Sequence, residues 1–464
     1  MEPMSLAAIA SVTGGHLTDV PDPDTLVTAP LDFDSRTIQP GGLFFALPGE
    51  QTDGHAFAAD AIRAGAAAVL ATRPVGTPAI VVDDVLAGAA RLTGHLVRSC
   101  LPDTTIVAVT GSAGKTSTKD LIAQLLPTAG PTVATEQSYN NEIGLPLTVS
   151  RATAHTRYLI LEMGARHLGD LRALTTVAPP RISVVTNVGT AHLGEFGSRD
   201  TIALAKGEIV EALPLHGVAV LNADDPRVLG MEHRTDARAV TFGTTKHADV
   251  HATGTTLDAE GRPRFTLVTP AGAALVRLRL TGEHQVLNAL AAAAVALETG
   301  LGTDDVAELL SAATVRSRWR METTTGTDGV TIVNDAYNAN PDSMRSSLET
   351  LTAMGRAAGR RTIAVLGQMN ELGPESRTAH EDIGRAAASL GVDQLIVIGG
   401  DEARWMQQAA KAAGLGAVHL PDQDTARALL RRTFLPGDIV LVKASRDVQL
   451  QKLAEALQLL QAAD

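Results

Sequence analysis

The stretch "IVAVTGSAGKTSTKD", residues 106–120, limits the possible folds more than any other. An unbroken apolar run, two glycines and a Lys-Thr pair require a buried strand that turns sharply into a helix. Gly111 and Gly114 precede Lys115 and Thr116, while Val109 stands where the G-x-x-x-x-G-K-[ST] phosphate loop has its first glycine. With the strand ending at Val109–Thr110 and the helix starting near Thr116, unpaired backbone N–H groups aim at an anion. Lys115 then reaches the outer phosphates, and the Thr116 hydroxyl can bind Mg²⁺. A glycine turn carrying a solvated lysine is the competing reading. The order strand, loop, helix favours phosphate.

The loop sits within a longer alternation. The 464 residues suit about three domains at roughly 150 residues each. Residues 1–101 alternate short strands ("GGLFFALPG", "AAAVLAT", "AIVVDD") with Ala-rich helices, and "LPDTT" at 101–105 reads as a linker. Residues 102–320 carry apolar runs such as "YLILEMGA", "ISVVTNVG" and "GVAVLNADD" separated by helical stretches, which predicts a mostly parallel sheet covered on both faces. The stretch 248–282 reads as antiparallel hairpins, followed by the helix "HQVLNALAAAAVALETG". From 321 to 464 a third alternation predicts a doubly wound α/β domain, and it contains no G-x-G-x-x-G. The fold class is α/β in three domains, with the phosphate loop opening the central one.

Charge and composition exclude several functions. Aromatics make up 3% of the chain and the formal charge is −12, which argues against a single-stranded nucleic-acid platform. Cys100 is the sole cysteine, so an intramolecular disulfide and a cysteine-rich zinc site are ruled out. No apolar stretch is long enough for a membrane span, and "MEPMSLAAIA" lacks the basic start of a secretion leader. A cytoplasmic location is expected.

Other candidate residues lie at the ends of apolar runs. Glu162 closes "LILE", at the sheet edge where α/β ligand sites form, and could hold Mg²⁺. His192 follows the strand ending at Thr186–Asn187. In the helix from about Ser198, Ile202, Lys206, Ile209, Val210 and Leu213 share one face, which puts Lys206 toward the core. Lys206 either snorkels or is desolvated and neutral, able to take up CO₂ as a carbamate. Asp335, Tyr337, Asn338 and Asn340 fall in a strand-to-helix loop ahead of Pro341. Turn chemistry would explain the asparagines, whereas Tyr337 offers a face and a hydroxyl. Ser35, Arg36, Asp53 and His55 surround an early strand, and Arg36 could clamp a diphosphate. A surface turn would look much the same.

Taken in order, "VTGSAGKTSTKD", "NNEIGLPLT", "EMGA", "TNVGTAHLGEFGS", "IALAKGEI", "NADD", "NDAYNANPDSM" and "VLGQMNELG" resemble the Mur ligase family of peptidoglycan synthesis. The resemblance spans "DSR" at 34–36 to "LVKASR" at 441–446 and is nearest the branch that adds D-alanyl-D-alanine to a UDP-N-acetylmuramoyl-tripeptide. It implies an ATP-dependent amide ligase working through an acyl phosphate, with a substrate domain for the UDP end, an ATPase domain and a mobile last domain. It assigns Gly111, Ser112, Ala113, Gly114, Lys115, Thr116 and Ser117 to the ATP phosphates. Asn288, Arg320, Asp335, Tyr337, Asn338 and Asn340 fall to the nucleotide. Ser35, Arg36, Asp53, His55, Asn140 and Asn141 fall to the substrate. Lys115, Glu162, His192 and Lys206 form its catalytic set. Two Mg²⁺ ions are implied at Thr116, Glu162, His192 and Lys206, the last as a carbamate, in a monomer. Gln285 departs from the family's usual "HN" and Gln368 from a common acid, so neither receives a role.

Two other readings share part of this motif set. A different Mur-type or folylpolyglutamate-type amide ligase has the loop without "DAYNANPDSM". A P-loop ATPase or motor would turn over nucleotide on a nucleic-acid or protein polymer, and the charge and scarce aromatics oppose the nucleic-acid form.

Overall fold

The protein is described by a computed structural model covering residues 1–49 and 52–462. Its three main sheets follow the three alternations. The first sheet has four strands in the order His16–Thr18, Ala79–Val81, Ala68–Ala71, Leu43–Phe45, parallel except at the first pairing. Its strands are two to four residues long, the short two-stranded ladder Met4–Ser5 with Leu26–Val27 included. Helix Val85–His95 runs on through a π-helical turn, Leu96–Cys100, into the second unit.

The segment "LPDTT" is a tight turn and not a free tether. Leu101 is buried, its carbonyl accepts from Thr104 N–H, and the next strand begins at Thr105. Apolar residues of the preceding helix, Leu92 and Leu96, share one core with Leu145, Val149 and Leu159 of the second unit. Separate sheets therefore meet over a continuous core, which burial of apolar area favours over an exposed linker.

The central sheet has nine strands. Thr132–Ala134, Tyr158–Glu162, Thr105–Thr110, Ile182–Val185, Val218–Asn222, Arg238–Gly243 and the start of Val250–Leu257 run parallel. The antiparallel hairpins Val250–Leu257, Pro263–Thr269 and Gly272–Arg277 extend the same sheet, as 248–282 predicted. Strand Thr105–Thr110 lies between Tyr158–Glu162 and Ile182–Val185, with Val109 opposite Glu162 and Thr110 opposite Val185. Chain order reverses there, so the loops leaving these three strands open a crevice at their carboxyl ends. Helix Gln285–Glu298 is alanine-rich and buried along most of its length, packed beside helix Lys115–Leu125.

The last sheet has the order Glu322–Thr325, Thr331–Asn334, Ile439–Lys443, Thr362–Leu366, Gln394–Ile398, Ala417–Leu420. All pairings are parallel except the first. That edge strand, "ETTT", is absent from the sequence expectation, because a threonine run shows no apolar alternation to read. Among the described residues no helix is long and apolar enough to cross a membrane.

Candidate active site

The phosphate loop is shaped by glycines that a side chain would block. Gly111 (φ +149°) lies against the Thr186 hydroxyl and Gly114 (φ +81°) against the Asn288 amide, each so close that a Cβ would collide. The loop's first N–H groups are used within the protein: Ser112 N donates to Asn187 O at 3.0 Å and Ala113 N to Asn187 Oδ1 at 2.9 Å. Seven residues were assigned to phosphate; Gly114, Lys115, Thr116 and Ser117, at the start of helix Lys115–Leu125, retain backbone N–H groups without a backbone partner. These are the unpaired donors of a helix N-terminus. Lys115 Nζ folds back to Gly111 O at 2.7 Å. Burial lowers its pKa, Glu162 opposes that shift, and the positive Arg320 adds to it.

Glu162 is 2% exposed. Its Oε1 accepts from Asn140 Nδ2 at 2.7 Å and Ser138 Oγ at 3.3 Å, whereas Oε2 is buried with no partner. Ser138 Oγ also lies 2.8 Å from Thr116 Oγ1. An unpaired buried carboxylate oxygen beside two hydroxyls is a costly arrangement that a hard cation would relieve. No cluster of three His, Cys, Asp or Glu that could hold a metal is present among the described residues. Mg²⁺ does not need one, since it keeps waters and binds through one or two carboxylates plus substrate phosphates. The donor set fits Mg²⁺ on that basis. Asn141 caps locally, accepting from Gly144 N at 3.2 Å.

Lys206 is 2% exposed, on the buried face of helix Arg199–Glu211 with Ile202, Ile209 and Val210. Leu213 lies past the helix end. Burial takes the Lys206 pKa well below the usual lysine range, and Lys115 repels it in the same direction. Both lysines are thus shifted toward the uncharged form by burial, Lys206 the more strongly. His192 adopts a left-handed backbone (φ +58°), and its Nδ1 lies 2.5 Å from Glu371 of the last unit.

The last unit brings a second group of residues to the crevice. Arg320 Nη2 donates to Thr116 Oγ1 and Ser138 Oγ, and its guanidinium lies 4.0 Å from the Tyr337 ring centre. Arg446 stands over the same ring at 4.9 Å. Not every predicted nucleotide residue faces the crevice. Asp335 is buried, pairs with Lys443 Nζ at 2.6 Å and accepts from Met321 N and Ser347 Oγ, so its carboxylate is satisfied inside its own unit. Asn340 caps helix Pro341–Ala358 through a capping box with Ser343. Asn338 is exposed, with its side chain on the neighbouring Ala339 N–H. Asn288 lies beneath the loop, accepting from Thr118 Oγ1 at 3.3 Å and held by Gln285 Oε1 at 2.8 Å. Gln285 thus orients Asn288.

In the first unit Arg36 is exposed and forks onto Asp34 at 2.9 and 2.6 Å, and Ser35 is half-buried beside it. Asp53 and His55 form a local structure. Asp53 caps a short turn and pairs with His55 Nδ1 at 2.6 Å, while Thr72 N donates to His55 Nε2 at 3.0 Å. With both ring nitrogens engaged and the side chain buried, His55 ties its turn to Thr72. The first unit meets the crevice at Phe33, edge-on to Tyr139 at 6.0 Å. Burial raises the Tyr139 pKa, with Asp32, Arg446, Tyr337 and Asp34 acting on it in turn. Groups of all three units therefore converge around Tyr139.

Ser138, Tyr139, Asn187, Glu371 and Arg446 escaped the sequence reading. They stand within or beside quoted motifs, but their roles depend on partners far along the chain.

Comparisons with known proteins bear on the family and the fold. Three family descriptions match in order: "Mur ligase family, catalytic domain" over residues 31–100, "Mur ligase middle domain" over 109–296 and "Mur ligase, glutamate ligase domain" over 319–446. Relatives named UDP-N-acetylmuramoyl-tripeptide–D-alanyl-D-alanine ligase include one from Mycobacterium tuberculosis, 48% identical over 98% of this chain and 97% of its own. Another, from Escherichia coli, is 34% identical over 97% and 98%. The crystal structure of MurF from Acinetobacter baumannii superposes with a TM-score of 0.87 at 29% identity, covering 99% of each chain. The MurF ligase of Thermotoga maritima in complex with ADP gives 0.80 at 29% identity, over 93% and 97%.

Proposed function

The chain belongs to the Mur ligase family, and on that premise we propose how its crevice carries out the ligation. The protein is a ligase that uses ATP to add D-alanyl-D-alanine to UDP-N-acetylmuramoyl-tripeptide. The observation that supports our assignment of residues is the meeting of Arg320, Thr116 and Ser138 at hydrogen-bond distance beside the orphaned oxygen of Glu162.

The tripeptide carboxylate attacks the γ-phosphorus of ATP, ADP leaves, and an acyl phosphate forms. Both reacting groups are anionic. Two unit charges about 4 Å apart repel by about 4 kcal/mol at an effective dielectric of ~20, or about three orders of magnitude in rate. Lys115, the N–H groups of Gly114–Ser117 and Arg320 oppose that repulsion. Thr116, Glu162 and His192 would hold Mg²⁺, which when bound supplies further positive charge to the phosphate oxygens. Burial favours the uncharged Lys206 amine, which in that form would add CO₂, lose a proton and become an anionic carbamate suited to a second ion. The dipeptide amine then attacks the acyl carbon and phosphate leaves. Closing the last unit over the loop excludes water from the acyl phosphate.

Ser35, Arg36 and Tyr139 are our choice for the UDP-peptide side, with Arg446 and Tyr337 of the last unit acting on Tyr139. Domain limits of 1–101, 102–320 and 321–464 accord with the separate sheets. One chain supplies every group named, so a monomer suffices, and substrates made of ATP and a nucleotide sugar point to the cytoplasm.

The test uses tripeptide substrate labelled with oxygen-18 in its free carboxylate, with ATP and D-alanyl-D-alanine. The expected result is pentapeptide product and one labelled oxygen in the released phosphate. ADP release that ignores the dipeptide, or unlabelled phosphate, would overturn the mechanism.

A further inference from the structure

Seven non-glycine residues among those described have positive φ, and two of them, His192 (φ +58°) and Glu371 (φ +62°), face each other between the central and last units. Left-handed backbone at such residues is strained and persists where the surroundings impose it. Here the surroundings are visible. The Glu371 loop is fixed from behind by Met369 N donating to His380 Nε2 at 2.9 Å and Asn370 N to Ser445 Oγ at 2.9 Å. In front, Gly194 N donates to Glu371 O at 3.1 Å. Gly194 and Gly373 approach so closely that a Cβ on either would strike the other's backbone. The Glu371 carboxylate divides between His192 Nδ1 (2.5 Å) and Arg166 Nη2 (3.1 Å). The approach to Nδ1 is close but not aligned as a hydrogen bond, so a small turn of ring or carboxylate would complete it.

A histidine that binds a metal through one ring nitrogen commonly gives the other to a carboxylate, which fixes the ring and raises its basicity. We propose that Glu371 is a positioning residue for His192, so that the metal-site histidine is oriented by the last unit and cation binding is coupled to docking of that unit. This rests on the reading of His192 as a metal-site residue. Coupling of this kind is reciprocal: docking strengthens cation binding, and the cation strengthens docking by the same factor.

The experiment titrates Mn²⁺, followed by electron paramagnetic resonance, into the full-length protein with ADP present. It compares wild type, Glu371→Gln, Glu371→Asp, Arg166→Ala and His192→Ala, each first checked for an unchanged urea unfolding midpoint. The expected result is that His192→Ala and Glu371→Gln both weaken Mn²⁺ binding, the latter about ten- to a hundredfold. Arg166→Ala, which touches Glu371 without touching His192, stays within about twofold, and Glu371→Asp falls between. Full Mn²⁺ affinity in Glu371→Gln alongside loss in His192→Ala would overturn the proposal and leave the metal-site reading standing. Equal losses in Glu371→Gln and Arg166→Ala would overturn it in favour of a docking seam alone. Undiminished affinity in His192→Ala would overturn the underlying reading itself.

Discussion

Arg320 donates from Nη2 to Thr116 Oγ1 at 2.9 Å, putting a cation from the chain leading into the last sheet inside the phosphate loop of the central one. Its neighbours Trp319 and Met321 both have left-handed backbone, which turns the segment so that the guanidinium points back across the boundary. Arg320→Ala should lower kcat/KM about 10²–10³-fold, as loss of one charge-stabilising donor does. Arg320→Lys should recover only part, because lysine lacks the planar fork. Steady-state ADP release reads this out, and a loss smaller than fivefold would remove Arg320 from the mechanism.

Lys115→Ala should abolish turnover and leave the fold intact. Its amine hydrogen-bonds the loop's own carbonyl at Gly111, so no hydrogen bond to another segment is lost. The check is product formation beside a urea unfolding curve. Near-normal activity would contradict the phosphate role.

Lys206 gives a pH dependence of definite sign. Its folded pKa lies well below the unfolded one, so the folded state binds fewer protons, and stability rises with pH between the two values. The lysine destabilises most below its folded pKa and not at all above about 10.4, where both states are neutral. Lys206→Met should therefore raise the urea midpoint at pH 7 and lose that advantage as pH approaches 10. Activity should vanish in Lys206→Ala and return in part with added short carboxylates if a carbamate is used. A carbamate carbon signal from ¹³CO₂, present in wild type and missing in the variant, would give the direct readout.

Asp335 separates two roles by experiment. As one half of a buried pair with Lys443, its loss leaves an unpaired charge, and Asp335→Ala should destabilise by about 3–5 kcal/mol. KM for ATP, measured well below the unfolding midpoint, should change little. A large rise in KM without loss of stability would return Asp335 to the nucleotide site.

Much of the fold was legible because hydrophobic period and glycine placement are local signals. The phosphate loop, its strand and helix, the hairpins at 248–282 and the buried face carrying Lys206 are all found where those signals put them. The edge strand Glu322–Thr325 was not legible, since its pairing comes from Thr331–Asn334 and not from its own apolar pattern. Asp335, Asn340, Asp53 and His55 have structural partners that their sequence context did not reveal. Polar residues in turns look alike in sequence whether they face a ligand or hold a cap and an ion pair.

The order of units, the position of the anion-binding loop and the kind of chemistry can be read along the chain, because each depends on residues within a few positions of one another. Which side chains meet emerges only on folding: Arg320 with Thr116, Glu371 with His192, Asn187 with the loop N–H groups, Phe33 with Tyr139. Each pair joins residues dozens to hundreds of positions apart. Their encounter is fixed by which sheet edges the cores bring together, and hydrophobic burial does not reveal that until the chain is folded.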